Sequence, residues 1–159
     1  MDNIDVEQRV AAARNNFTSG YNCSQSVALA FVDLFDVDPS TIVAVASSFG
    51  GGMGRLREVC GAVSGMAIIA GLIIPATDVE NKGVKTANYS LVQEMAEKFR
   101  SQNRSIVCRE LLGLDRPKDE PTPSDRTAEY YRKRPCADLV ADAARILAET
   151  INDRGTASL

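Results

Sequence analysis

The chain has 159 residues, 45% of them hydrophobic and 25% charged, and its 18 Lys and Arg against 21 Asp and Glu leave a net charge of −3. One domain with a sizeable core fits that length, and the lack of a basic excess argues against nucleic acid or an anionic membrane surface as partner. The absence of His removes Ser-His-Asp and Cys-His nucleophile systems, HExxH zinc sites and His-ligated haem together, which leaves four cysteines as the unusual chemistry.

The acidic start, Met1 to Glu7, carries no apolar signal-peptide core, so a cytoplasmic chain with reduced thiols is expected. Val6, Val10, Ala13 and Phe17 recur at three- and four-residue spacing, which predicts an amphipathic helix ending near Gly20. Asn22 followed by Gln25 has the form of a capping box; it opens a second helix with Val27, Ala30, Phe31 and Leu34 inward and Cys23 in its first turn. Asp38-Pro39 opens a third segment, Ser40 to Phe49, for which the β-branched Thr41, Ile42, Val43 and Val45 make a strand the competing assignment.

Seven of the eleven glycines fall between Gly50 and Gly71. Gly50 to Gly54 is too glycine-dense for a regular element and predicts a loop of unusual backbone geometry. Cys60 to Ile74 predicts a central buried helix, with a small-residue stripe of Cys60, Ser64, Ala67 and Gly71 and an apolar one of Ala62, Met66, Ile69 and Ile73. Gly61 and Gly65 widen its small face so that another backbone can come close, and the run is well short of the ~20 apolar residues of a membrane span.

Lys82 to Arg104 predicts a long helix with Leu91, Val92, Met95, Ala96 and Phe99 inward and an exposed Glu94–Lys98 pair. Ser105 is placed to cap a short helix ending at Gly113. Arg116 to Arg126 holds three of the six prolines and six charged residues, as a surface loop or crossing segment does. A solvated turn is expected over Tyr130 to Pro135. A final helix follows in which Cys136, Leu139, Val140, Ala143, Ile146, Leu147 and Ile151 share one face, Asp138 and Asp142 form a wet face, and the last eight residues fray. The expected fold is all-α: one helical bundle over residues 1–159, with a glycine-rich loop before a central buried helix.

Cys23, Cys60, Cys108 and Cys136 are 37, 48 and 28 positions apart, so no CxxC pair marks a zinc ribbon. Their placement is more specific. Cys23 follows the cap Asn22, Cys108 lies three residues after Ser105, and Cys136 follows Pro135, each in a predicted first turn where free N–H groups and positive potential favour a thiolate or a metal-bound sulfur. Arg55 and Arg57 precede Cys60, Arg104 and Arg109 flank Cys108, and Arg132 to Arg134 precede Cys136. Free cysteine is also a common small buried hydrophobe, so inert packing stands as the plain alternative. Each one, however, begins an apolar stripe, which predicts a common meeting point.

The order segment, GGGMG, helix resembles an anion cradle. No Gly-Lys-Ser/Thr follows it, and Arg55 and Arg57 occupy the third-glycine positions of a GxGxxG register. A tight loop passing close to the Cys60 helix is the better reading. Gly51, Gly52, Gly54, Arg55 and Gly61 are the candidate cofactor-holding residues, with Arg55 and Arg57 suited to a small anion.

Phe49-Gly-Gly-Gly-Met-Gly54, Cys60-Gly-Ala-Val-Ser-Gly65 and the lone cysteines before and after them resemble the redox-active four-cysteine family named for its C_GCAxxG_C_C pattern, over about Val10 to Ile151. In that likeness Cys23 matches the first cysteine, Cys60 with Gly61, Ala62 and Gly65 the central block, and Cys108 and Cys136 the third and fourth. The order Cys60-Gly61 departs from the Gly-Cys of the name. The resemblance implies a redox class and no substrate.

Three readings result. In the first, a thiol-dependent oxidoreductase cycles two or more of its cysteines between thiolate and disulfide with a redox partner or small molecule. In the second, Cys23, Cys60, Cys108 and Cys136 ligate a metal or iron–sulfur cluster. In the third, the chain is a helical binding module with packed cysteines. A homo-oligomer and all three pairings of the four cysteines stay open.

Overall fold

Five helix starts in this chain are set by side chains that take up orphan N–H groups. In the computed structural model, which describes residues 3–115, 118–156 and 159, Asp5 accepts from Gln8 N at the start of α1 (Val6–Thr18). Asn22 and Gln25 form the reciprocal capping box of α2 (Cys23–Leu29), and Asp38 accepts from Ser40 N ahead of Pro39 in α3 (Pro39–Ala46). Five more helices follow: α4 (Gly61–Ile73), α5 (Lys82–Asn103), α6 (Cys108–Leu111), α7 (Ala128–Lys133) and α8 (Cys136–Arg154). The structure is all-α, and among the described residues the only β-pairing is one antiparallel bridge, Val59 with Val107. No described helix is long and apolar enough to cross a membrane.

Several elements differ from the sequence reading. The third segment is a helix, because the Asp38 cap and Pro39 fix its first turn while Ile42 and Ala46 alone are buried; it stops at Ala46, and Ser47–Phe49 tightens into a 3-10 turn. Leu34 lies beyond α2, in a second 3-10 turn at Val32–Leu34. Ser105 does not cap α6 directly: its hydroxyl oxygen accepts from Val107 N and its O–H donates to Glu110, bracing the residue before the helix. Tyr130 to Lys133 is helical and not a solvated turn, since Thr127 accepts from Tyr130 N and both tyrosines are half-buried. α8 runs to Arg154 and does not fray at Ile151. Its Asn152 amide pairs both ways with the Ile4 backbone, at 2.9 and 3.0 Å, which anchors the last turn to the N-terminus. Of the expected acidic start, crossing loop and tail, Met1, Asp2, Arg116, Pro117, Ala157 and Ser158 lie outside the described residues.

α8 packs on α1, α2, α4 and α5, and its apolar face meets Phe17, Phe31, Met66, Leu91, Met95 and Phe99 in one core. Asp138 on the opposite side is exposed and pairs with Arg14, whereas Asp142 is half-buried and its pKa is raised by that burial. The close approach at α4 is to α2. A Cβ on Gly65 would lie 2.8 Å from Val27 Cβ and 2.9 Å from Ser24 O; one on Gly61 would lie 2.9 Å from Phe49 O and 3.0 Å from Cys23 Cβ. The seam therefore follows the Gly61–Gly65 row. The expected stripe through Ser64, Ala67 and Gly71 is half-exposed, and Gly71 has open space where its Cβ would be.

Substitution of the two glycines should separate crowding from backbone entropy. Gly65→Val is expected to lower unfolding free energy by about 1–3 kcal/mol by overpacking α2. Gly71→Ala is expected to raise it by about 0.4–1 kcal/mol through a stiffer unfolded chain. Denaturant unfolding of the two variants checks both signs.

Candidate functional site

Three helices begin at a cysteine: Cys23 opens α2, Cys108 opens α6 and Cys136 opens α8, while Cys60 is the residue that caps α4. All four line a single cavity of about 340 Å3. Cys60, Cys108 and Cys136 are buried, Cys23 is half-buried with its thiol desolvated, and all four are free. Backbone pairing accounts for Cys60 and Cys108. Cys60 N donates to Ile106 O at 2.7 Å, Cys108 N to Glu58 O at 2.6 Å and Arg109 N to Arg57 O at 3.2 Å, so two short segments far apart in sequence run side by side. The α2–α4 seam sets Cys23 against Gly61, and Asn22 fixes the start of α2 by donating to Ser47 O at 3.0 Å.

The glycine-rich segment folds as one left-handed turn. Gly51, Gly52, Met53, Gly54 and Arg55 have φ of 65°, 66°, 68°, 57° and 62°, and Arg57 follows at 59°. For a residue with a Cβ this conformation costs about 1–2 kcal/mol. Gly52 is required by contact as well, because a Cβ there would lie 2.6 Å from Cys108 Cβ and 2.8 Å from Glu58 N. Gly51, Gly52, Gly54, Arg55 and Gly61 all line the cavity, as the candidate binding residues. The turn is the tight loop expected rather than a backbone anion cradle: the N–H groups of Arg55, Arg57 and Glu58 donate to Gly50 O, Gly51 O and Gly52 O, and that of Gly54 to Ser48 O. They are taken up by the chain itself.

Arg55 and Arg57 instead act through their side chains. Arg57 is only 4% exposed. Its Nη2 and Nε lie 2.7 and 2.8 Å from Asp119 Oδ2, and its Nη1 donates to Cys108 Sγ at 3.5 Å. Arg55 donates from Nε to Glu120 O at 2.6 Å and stands 3.8 Å from Asp119. The segment from Lys118 to Arg126 thereby becomes one wall of the cavity, with Pro121, Pro123 and Arg126 lining it.

A family model described as "putative redox-active protein (C_GCAxxG_C_C)" matches residues 21–150, a span holding all four cysteines. The chain belongs to this family. The match starts at Tyr21, so all of α1 lies outside it, where the sequence likeness had begun at Val10. Comparison with curated proteins and with solved structures found no match.

The four cysteines of this C_GCAxxG_C_C protein are electrostatically unlike. A hydrogen bond from Cys23, with help from Arg134, Arg57 and Arg126, overcomes burial and lowers the Cys136 thiol to about 7. The same bond and burial raise Cys23 well above the usual thiol range. Burial pushes Cys60 up to about 12, although N–H groups of the first turn of α4 favour its thiolate, and burial also raises Cys108 against the pull of Arg57. The flanking arginines do not all serve the thiols as their positions in sequence suggest. Arg109 pairs with Glu58 at 3.2 Å, Arg104 ends α5 with a φ of 72°, and Arg132 is exposed. Among the described residues, no three His, Cys, Asp or Glu side chains are placed to hold one metal ion. The four thiols share a cavity without making a ready ligand cage.

Two residues of the site were not singled out from the sequence. Asp119 is buried against Arg57, and Arg126 inserts its guanidinium over Phe17 at 4.4 Å and Tyr130 at 5.1 Å while donating to Phe17 O and Tyr21 O. Both come from the proline-rich crossing segment, where six charges carry no periodicity to rank them.

Gly52→Ala and Gly54→Ala test the turn. Gly54 has the same left-handed backbone but nothing within 4 Å of its Cβ position, so Gly54→Ala should cost only the backbone penalty of about 1–2 kcal/mol. Gly52→Ala should cost clearly more and should alter alkylation of Cys108, measured by mass spectrometry beside the unfolding curve.

Proposed function

We propose that this protein is a thiol redox protein in which Cys136 is the attacking sulfur and Cys23 the resolving one. The observation that carries the reading is that Cys23 and Cys136, at the starts of α2 and α8, line one cavity together with Arg57, Arg126 and Arg134, whose charges favour the Cys136 thiolate. Thiolate is the nucleophilic form, and a thiol with a pKa near ambient pH attacks best.

The step balances as a dithiol–disulfide exchange with an external disulfide RS–SR′. The Cys136 thiolate attacks one sulfur, a Cys136–SR bond forms, and R′S⁻ leaves. The charge that held the Cys23 proton is then gone, and that proton passes to R′S⁻. The Cys23 thiolate attacks Cys136, forming the Cys23–Cys136 disulfide and releasing RS⁻. Two electrons have moved to the external disulfide. Cys60 and Cys108, protonated at neutral pH, line the cavity without being the first nucleophile. A cytoplasmic setting, which keeps thiols reduced, suits the cycle.

Alkylation against pH, read at Cys136 in a Cys60→Ser, Cys108→Ser background, is the test. The groups facing Cys136 are Cys23, Arg57, Arg126, Arg134 and Tyr130. Because the pKa is lowered, the rate should rise through about pH 7 and level off above it. At pH 7 this gives roughly fifteenfold more thiolate than an ordinary thiol of ~8.5, cut to about threefold in rate by the weaker nucleophile. Cys23→Ala should move the midpoint up. Mild oxidation should yield the Cys23–Cys136 disulfide by mass mapping. A midpoint of ordinary thiols, or oxidation that spares Cys136, would overturn the reading. Stoichiometric metal in anaerobically purified protein would favour the ligand alternative.

A further inference from the structure

Resting on the thiol redox reading, we infer that the external disulfide is a small organic anion, a carboxylate-bearing disulfide held in the cavity by Arg134 and Arg55. Among the described residues, the cavity lining includes four arginines, Arg55, Arg57, Arg126 and Arg134, and no Asp or Glu. Arg57 is neutralised by Asp119. The donors of Arg126 are satisfied by the carbonyls of Phe17 and Tyr21, which cancel no charge. Arg55 reaches Asp119 only at 3.8 Å. Arg134 lies over the Tyr130 ring at 5.7 Å and has no carboxylate within ion-pair distance among the described residues.

These cations crowd one another: burial and the neighbouring Arg57 and Arg134 lower the pKa of Arg55. Like charges held in a partly desolvated space are unfavourable, and a bound anion relieves them. Apolar side chains, among them Phe17, Leu111, Leu112, Tyr130 and Leu139, make up much of the remaining lining, with Asn22, Ser47 and Ser124 beside them. A bare inorganic anion would leave those walls wetted and unused. An organic body with anionic ends fits both, and about 340 Å3 is within the usual range for small-molecule pockets. Arg134, which favours the Cys136 thiolate, would with Arg55 bring the anionic disulfide to it, and the exchange proceeds by the balanced step above.

Two chromogenic aromatic disulfides separate charge from reactivity: dithiobis(nitrobenzoate), with a carboxylate on each ring, and dithiodipyridine, which is neutral. Each rate with the reduced full-length protein is divided by its rate with free cysteine. The resulting anionic-to-neutral ratio is insensitive to the pKa of Cys136. It should exceed unity by about tenfold, shrink with added salt, fall several-fold in Arg134→Gln and in Arg55→Gln, and recover in Arg134→Lys. A ratio near unity, or one that neither Gln variant changes, overturns the anion inference and leaves the redox reading standing. If neither disulfide releases its thiol, the redox reading fails. Calorimetry with the S-methyl thioether of thionitrobenzoate, which keeps the carboxylate and cannot exchange, then decides the anion site. Binding that weakens in Arg134→Gln supports it, and no binding overturns it.

Discussion

A single buried guanidinium joins the pieces of this cavity. Arg57 holds Asp119 through Nε and Nη2 and Cys108 through Nη1, its carbonyl accepts from both Arg109 N and Arg109 Nη1, and its own N–H donates to Gly51 O. The glycine turn, the start of α6 and the crossing segment thus meet at one residue. Removing one partner of a buried ion pair typically costs about 3–5 kcal/mol. A constraint of that order is what a turn with Met53, Arg55 and Arg57 in left-handed backbone needs to stay folded.

That junction also divides the thiols by environment. Arg57 faces Cys108, yet burial there still keeps the sulfur protonated; at Cys60, which is deeper, burial dominates. At Cys136 the donor thiol of Cys23 and three arginines act together and outweigh burial. Four cysteines in one cavity are therefore not four equivalent nucleophiles. Helix N-termini are common to the set, so the dipole alone does not choose among them; the hydrogen-bond donor and the side-chain cations do.

Much of this was legible in the sequence because its causes are local. The capping box at Asn22, Pro39 in the first turn of α3, the apolar face of α8 and the cysteines at helix starts are written in residues a few positions apart. The Gly61–Gly65 seam could be foreseen as a close approach but not as one with α2, since the partner lies on another element. What local pattern could not carry was the pairing of residues 57–60 with 106–109, the Asp119 partner of Arg57 and the insertion of Arg126 between Phe17 and Tyr130. Each rests on at least one contact across more than forty positions. Some of the arginines flanking the cysteines misled for the same reason: Arg109 and Arg132 are near in sequence and turned to other work, while Arg134 does act on Cys136 and Arg126, ten positions from it, also reaches the site.

The wall from Glu120 to Thr127 is attached differently from the rest of the cavity. Among the described residues, none of its N–H groups donates a hydrogen bond, two of its positions are proline, and Arg126 supplies its main anchorage through side-chain bonds to Phe17 O and Tyr21 O. The thiols and the core helices do not depend on its main chain. Insertions, deletions or new side chains between Glu120 and Asp125 would remodel what the cavity admits while leaving the helical ladder and the four cysteines as they are. Selection can therefore redraw the shape of the cavity on one short stretch without renegotiating the fold.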